Sequence, residues 1–228
     1  MNHLAVIMDG NRRWARQRGK FPWYGHRAGV EAVHRVTDFC LKKKISYLSL
    51  YAFSIENFNR DPQEYSYLFQ MIVDVLGKEV DSFIKAGIRV CFVGDRSLFP
   101  AITIPAVEET EKKTADCAVL TVNILFCYGG QQEILEGVRS IVREVQAGRM
   151  QEDQLSLEAF KKHLWLQGCP PPDLVIRTGG INRLSNFLLF HMAYSELYFL
   201  DCLWPDINET QLMQASDYFD NCTRNFGA

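Results

Sequence analysis

Six short β-prone runs alternate with amphipathic stretches along this chain, and that alternation restricts its fold more than any other feature. The runs are Leu4–Met8, Tyr47–Phe53, Ile88–Gly94, Val119–Tyr128, Leu174–Arg177 and Leu197–Leu200. Helical spacing marks the segments near 25–43, 63–86, 105–116, 130–147, 156–166 and 209–223. Strands separated by helices in this way imply an α/β fold built on a mainly parallel sheet flanked by helices. With 228 residues and 47% hydrophobic content, positions 1–228 are expected to form one domain. Ligands of such sheets bind beyond the carboxyl ends of the strands. Asp9, Ser54 and Arg177 each fall at or just past such an end, so three strands direct polar groups toward one rim.

The first strand ends abruptly. Leu4-Ala5-Val6-Ile7-Met8 runs into Asp9-Gly10-Asn11-Arg12-Arg13-Trp14, and residues 11–20 hold Arg12, Arg13, Arg16, Arg18 and Lys20 without an acid. A glycine that lets backbone approach an anion, a helix start with free N–H groups and several arginine forks suit a phosphorylated ligand. Asp9 would then hold a divalent cation between the phosphates, since magnesium takes one or two carboxylates plus substrate oxygens. A capped helix with a solvated basic face fits residues 4–20 equally well when they are read alone.

A second polar block, Asp173-Leu-Val-Ile-Arg177-Thr-Gly-Gly180 followed by Arg183-Leu184-Ser185-Asn186, offers two guanidinium forks and a hydroxyl around free backbone. Glu196 enters the run Leu-Tyr-Phe-Leu, where an acid is costly unless it is paired or metal-bound. The third block, Tyr51-Ala-Phe-Ser54-Ile55-Glu56-Asn57-Phe58-Asn59-Arg60, leaves a strand with several polar groups; by itself it reads as a loop tip. The helix at 63–86 carries a wide apolar stripe through Tyr65, Leu68, Phe69, Ile72, Val73, Leu76, Val80, Phe83 and Ile84, suited to a core or to the wall of an apolar cavity.

Composition removes several function classes. Charge is nearly balanced at −2, with 25 basic and 27 acidic residues, so no general basic surface for nucleic acid is expected. Seven scattered cysteines without a C-x-x-C pair point to free thiols in a reducing compartment rather than to zinc or disulfides. The five histidines are not at metal-ligand spacing. Zinc-hydrolase, nucleophile-elbow and P-loop signatures are missing from the sequence. No run approaches the roughly 18 apolar residues of a membrane span, and Asp9 interrupts any signal-peptide pattern. A soluble, cytoplasmic protein is expected.

Taken together the blocks resemble the cis-prenyltransferase family, and within it the undecaprenyl diphosphate synthases. The matching text is HLAVIMDGNRRWA at 3–15, GH at 25–26, LYAFSIENFNR at 50–60, DLVIRTGG at 173–180, RLSNFLL at 183–189, and AYSELYF with LWPD at 193–206. The match runs over nearly the whole chain. The resemblance implies a transferase that condenses isopentenyl diphosphate repeatedly onto an allylic diphosphate such as farnesyl diphosphate, forming cis double bonds. The product would be a long-chain polyprenyl diphosphate such as undecaprenyl diphosphate, a lipid-carrier precursor for the cell wall.

Residue by residue, the resemblance implies that Asp9 holds Mg2+ on the allylic diphosphate. Gly10, Asn11, Arg12, Arg13, Trp14 and His26 would cradle that diphosphate. Arg177, Arg183, Leu184 and Ser185 would hold isopentenyl diphosphate. Ser54, Ile55, Glu56, Phe58 and Arg60 would contact substrate around Asn57, whose position is implicated in taking the proton. Glu196 would join the metal set from its own chain or from a dimer partner. An apolar product tunnel would run along helix 63–86 and strand Val119–Phe126, with Leu120 and Phe126 on one face. The resemblance also implies a homodimer, transient contact with the inner membrane surface for product release, and an ending, Arg224–Ala228, whose Arg224 reaches the neighbouring subunit. A non-catalytic subunit of the same fold is the alternative, but such proteins lose the metal aspartate and much of the cradle. Four departures from the family pattern stand out: Ile181 for an acid, Phe58 for Trp, Cys127 for Asn and Gln131 for Arg. Arg12 stands where bacterial members often have Gly, and Phe126 is bulkier than the small residue often found there.

Overall fold

β1 (His3–Ile7) is the axis of the sheet, and all five of its residues are buried. A strand covered on both faces must be apolar throughout, which is why this run is continuous rather than alternating. β1 pairs in parallel with β2 (Tyr47–Ser54) on one side and with β5 (Leu174–Arg177) on the other. β4 (Leu120–Tyr128) and β3 (Ile88–Val93) continue the sheet beyond β2, and β6 (Glu196–Phe199) continues it beyond β5. The order is β3-β4-β2-β1-β5-β6, and every pairing is parallel. Successive strands lie to one side of β1 until β5, which crosses to the other. The carboxyl end of β1 is therefore the point where the winding reverses, and ligands of open α/β sheets bind at such points. The computed structural model describes residues 1–223, and Arg224–Ala228 lies outside the described residues.

Seven helices occur among the described residues: α1 (Asn11–Gln17), α2 (Pro22–Lys43), α3 (Pro62–Lys85), α4 (Ile104–Lys113), α5 (Gly130–Gln146), α6 (Leu157–Lys161) and α7 (Glu209–Asn221). Side chains alternate along each strand between two cores. Leu4 and Val6 of β1 join Val36, Leu68, Val107 and Phe219 on one face. Ala5 and Ile7 join Leu125, Leu166, Phe187 and Leu188 on the other.

The helices depart from the sequence expectation in two places. The chain that follows Gly10 forms the short α1 and then turns through Gly19, so α2 begins at Pro22 rather than near residue 25. Proline at a first helical turn loses no backbone bond. The helix expected over 156–166 stops at Lys161, because the N–H of Leu166 donates to the buried Glu133 carboxylate instead of to a helical carbonyl. Among the described residues no helix is long and apolar enough to cross a membrane. All seven cysteines are free thiols, and burial pushes those of Cys40, Cys127 and Cys169 up to about 12.

Candidate active site

Asp9 leaves β1 at the switch point, and two distant segments converge on it. One carboxylate oxygen lies 2.9 Å from Nη2 of Arg177, the last residue of β5, and the other lies 3.2 Å from Nη2 of Arg13 on α1. Its carbonyl accepts from the Thr178 hydroxyl at 2.7 Å and from the Trp204 N–H at 3.0 Å, so the backbone here is fixed from two sides. Gly10 follows with φ +115°, a conformation that favours glycine, and a β-carbon there would come within 3.0 Å of the Leu203 backbone. Gly179 has φ +91°, and a β-carbon there would come within 2.3 Å of the Arg13 guanidinium, which itself donates to the Gly179 carbonyl at 2.7 Å.

Around Asp9 opens a polar chamber of about 360 Å³, lined by Arg12, Arg13, Arg16, His26, Asn57 and Arg60 among others. Asp9 is the single carboxylate in that lining. Several guanidiniums facing one acid make a receptacle for an anion of high charge.

Glu64, near the start of α3, holds this wall together from behind. It is 5% exposed, and its carboxylate lies 3.3 Å from His26 Nε2, 3.4 Å from Arg12 Nε and 3.5 Å from Arg60 Nη1. The His26 hydrogen bond, joined by the charges of Arg12 and Arg60, keeps the Glu64 carboxyl below the usual range despite its burial. Sequence reasoning missed Glu64. Its signal was an acid one turn after Arg60 inside an otherwise apolar helix face, where burial demands a partner.

The second cradle lies beyond Asp9. Arg177 is 4% exposed; its Nη1 donates to the Arg183 carbonyl and, at 2.8 Å, to the Ser185 hydroxyl. Ser185 and Asn186 both have positive φ, a strained pair that folds the loop back toward β5. Asn186 pins the loop through Glu56 at 2.7 Å and Gln132 at 2.9 Å. Tyr51 adds a hydrogen bond from its hydroxyl to the Ser185 carbonyl at 3.3 Å. Among the described residues two buried polar atoms remain unpartnered, Arg177 Nε and Asn11 Oδ1, and Asn11 lines the polar chamber. Unpaired buried groups of this kind point to a ligand that completes them.

Other expected contacts fall elsewhere. Trp14 does not line the chamber: its indole N–H donates to Asp206 at 2.7 Å and Arg18 stacks over its ring at 4.0 Å. Phe58 packs edge-on against Phe53 and Tyr65, while Leu184 joins the core on the far side of the sheet. Ser54 is buried and Ile55 is half-buried; the Ser54 N–H donates to the Asn57 amide oxygen at 3.1 Å. Glu196 opens β6 opposite Leu174, which in turn lies opposite Leu4. At ~3.3 Å per residue that places it roughly 15 Å from Asp9 along the strands. Membership of the metal set from its own chain is therefore corrected: strand register puts it at the wrong end of the sheet.

An apolar cavity of about 340 Å³ adjoins the polar chamber, and Met8, Asn11, His26 and Ala52 wall both. It lies between α2 and α3 over the sheet. Leu68, Met71, Ile72 and Leu76 of α3 line it with Val122 and Ile124 of β4. Leu120 and Phe126 do share one face with these residues, but both are packed behind the lining. Phe126 sits among Phe53, Phe69, Phe92 and Phe99.

One carboxylate at a phosphate-sized chamber fits magnesium, which takes few protein ligands and completes its shell with water and substrate oxygens. The described residues contain no cluster of three acidic, histidine or cysteine side chains that would cage an ion by themselves.

Comparison with known proteins agrees with this geometry. Residues 7–227 match the Prenyltransf family model, described as "Putative undecaprenyl diphosphate synthase". The chain is 44% identical, over 99% of its length and 89% of the relative, to the Escherichia coli K12 ditrans,polycis-undecaprenyl-diphosphate synthase specific for (2E,6E)-farnesyl diphosphate. It is 41% identical to the Xylella fastidiosa 9a5c enzyme of that name, over 99% of this chain and 88% of the relative. Among solved structures, lavandulyl diphosphate synthase from Lavandula x intermedia, in complex with dimethylallyl diphosphate, superposes with a TM-score of 0.96 at 32% identity, covering 100% of this chain and 98% of that one. A probable undecaprenyl diphosphate synthase from Campylobacter jejuni superposes at 0.83 and 31% identity, covering 100% and 99%.

Proposed function

Because the chain belongs to the undecaprenyl diphosphate synthase family of prenyltransferases, we propose that it condenses isopentenyl diphosphate repeatedly onto farnesyl diphosphate to give a long-chain cis-polyprenyl diphosphate. The observation that carries this reading is that the guanidinium-lined chamber around Asp9 meets an apolar cavity through a shared wall of Met8, Asn11, His26 and Ala52. An allylic diphosphate has that shape: a highly charged head on an apolar tail. The non-catalytic alternative is not favoured, since Asp9, Asn57, Arg177, Arg183 and Glu196 are all present.

In this reading Arg12, Arg13 and His26 receive the allylic diphosphate, with donor N–H groups of the Gly10–Asn11 segment completing the cradle. Arg177, Arg183 and Ser185 receive isopentenyl diphosphate on the other side of Asp9. Magnesium, held by Asp9 and substrate oxygens, would supply charge stabilisation to the departing diphosphate. The allylic C–O bond breaks as the new C–C bond forms, the apolar wall excludes water from the allylic cation, and the proton lost from isopentenyl diphosphate passes to an oxygen of the departing diphosphate. Asn57 is better suited to orienting substrate than to taking the proton. A neutral amide is a poor base, and its oxygen already accepts the Ser54 N–H. A homodimer in which Glu196 and Arg224 act across the interface belongs to the same reading, as does contact with a membrane surface on product release.

The test is magnesium-dependent incorporation of labelled isopentenyl diphosphate into butanol-extractable lipid with farnesyl diphosphate as primer. Resolved by chain length, the products should form a series with cis units. No incorporation by properly folded protein at saturating magnesium would overturn the proposal.

A further inference from the structure

The α1–α2 turn and the first turns of α2 and α3 carry an exposed aromatic patch that neither the core nor the substrate chambers use. Phe21 is 63% exposed, Tyr24 48% and Tyr67 36%. Phe21 stacks face to face on Trp23, with centroids 4.5 Å apart and planes 9° from parallel. Trp23 in turn reaches Tyr67 of α3 at 6.1 Å, so the patch bridges the two helices that enclose the apolar cavity. It lies at their amino ends, beside the His26–Glu64 contact of the polar chamber.

The charge around it is one-sided. From Gly10 to Val30 the chain holds no acid, and Arg16, Arg18, Lys20 and Arg27 are exposed. Arg18 is committed to Asp206, but neither Lys20 nor Arg27 pairs with a carboxylate among the described residues. The Lys20 ammonium lies 5.6 Å from the Tyr24 ring. Tryptophan and tyrosine favour the level of lipid headgroups, and neighbouring cations draw such a surface to anionic lipid.

We propose that Phe21, Trp23, Tyr24 and Tyr67, with Lys20 and Arg27, form a docking surface for an anionic lipid bilayer, set at the amino ends of α2 and α3. This rests on the proposed function in one respect: it names the surface through which a polyprenyl product would pass to lipid. The acid-free run from Gly10 to Val30 matches an anionic surface, and the Trp23 and Tyr24 rings beside Lys20 and Arg27 match the headgroup level of a bilayer.

The experiment is flotation of the full chain with vesicles of phosphatidylcholine alone and of phosphatidylcholine with phosphatidylglycerol, read alongside Trp quenching by brominated lipid. Binding should require phosphatidylglycerol and weaken with salt, and Trp23→Phe should remove most of the quenching. The pairs F21S/Y67S and K20E/R27E should each lower vesicle affinity about tenfold or more. Incorporation of isopentenyl diphosphate, measured without vesicles, should be unchanged in both. Wild-type protein that fails to float, or variants that float equally, would overturn the proposal. So would a shift of the variants to a smaller oligomer in sedimentation, which would make the patch a subunit interface. Vesicle binding is read without turnover, so failure of the catalytic reading leaves a separate result.

Discussion

Asp9 and Arg177, 168 residues apart in the chain, meet at 2.9 Å where β1 and β5 end side by side. Parallel pairing places Ile7 opposite Arg177, so the contact is a consequence of register rather than of loop flexibility. The pair lies between the two proposed diphosphate cradles, and substitution on either side of it should separate their roles.

Asp9→Ala should reduce turnover below a tenth of wild type at saturating magnesium. The same change leaves Arg177, which is buried, without its carboxylate. Hydrogen bonds between charged groups are worth about 1.5–3 kcal/mol, so a modest fall in thermal stability should accompany the loss of activity. Turnover and melting measured on one preparation check this. Activity above a tenth would remove Asp9 from the metal role.

Arg183 and Arg177 should differ although both face isopentenyl diphosphate in the proposed site. Arg183 is exposed, so Arg183→Ala should raise KM for that substrate about tenfold, with no loss of stability. Arg177→Ala should do both, because its guanidinium also anchors the Arg183–Ser185 loop. Steady-state kinetics with each substrate varied in turn decides the matter. Equal effects on both KM values would rule out two separate cradles.

Glu64→Gln tests the wall behind the proposed allylic cradle. The folded carboxyl titrates below its ordinary value of about 4.3, so its ionised form stabilises the fold above that pH. That contribution is lost as pH falls through the depressed value. The variant should therefore be less stable than wild type at neutral pH and converge with it in acid, as read by urea unfolding. With Arg12, His26 and Arg60 released from their common partner, KM for farnesyl diphosphate should rise more than that for isopentenyl diphosphate.

His3 predicts a second pH dependence, unrelated to the site. Buried at the start of β1 between the Pro170 carbonyl and the Ser49 hydroxyl, it is lowered from 6.5 to about 4, chiefly by burial. The unfolded chain binds the proton more readily between those values, so stability should rise with pH across that window. His3→Gln should flatten the rise. An unaltered slope in unfolding experiments would assign it to other groups.

Product length should respond to the lining of the apolar cavity. Ile124 lies in that lining, so Ile124→Phe should shorten the products. Phe126→Ala opens space behind the wall and should lengthen them, at a cost of about 3–5 kcal/mol for truncating a buried ring. Chromatography of the dephosphorylated products reads both. Identical distributions would make this cavity part of the core alone.

Much of this molecule was legible in its residues because the information was local or repeated. Continuous apolar runs marked the buried parallel strands, and Asp9-Gly10 or Arg177-Thr-Gly-Gly marked where strands end and backbone must turn. The Prolines that open α2 and α3 were weaker signals, and only packing showed that α2 begins early. Side-chain direction and long-range register were decided by tertiary structure. Trp14 looked like part of the cradle from its place beside Arg13, yet Asp206, nearly two hundred residues later, turns its indole away. Glu196 carries the right chemistry for a metal, but pairing of β6 with β5 sets it at the opposite end of the strands. Glu64 was hidden for the converse reason: a buried acid on an apolar helix becomes intelligible only when Arg12, His26 and Arg60 converge on it. Local chemistry specifies which groups a chain offers and where its buried strands run. Which of those groups meet is set by sheet order and register, and those follow from burial over the whole chain.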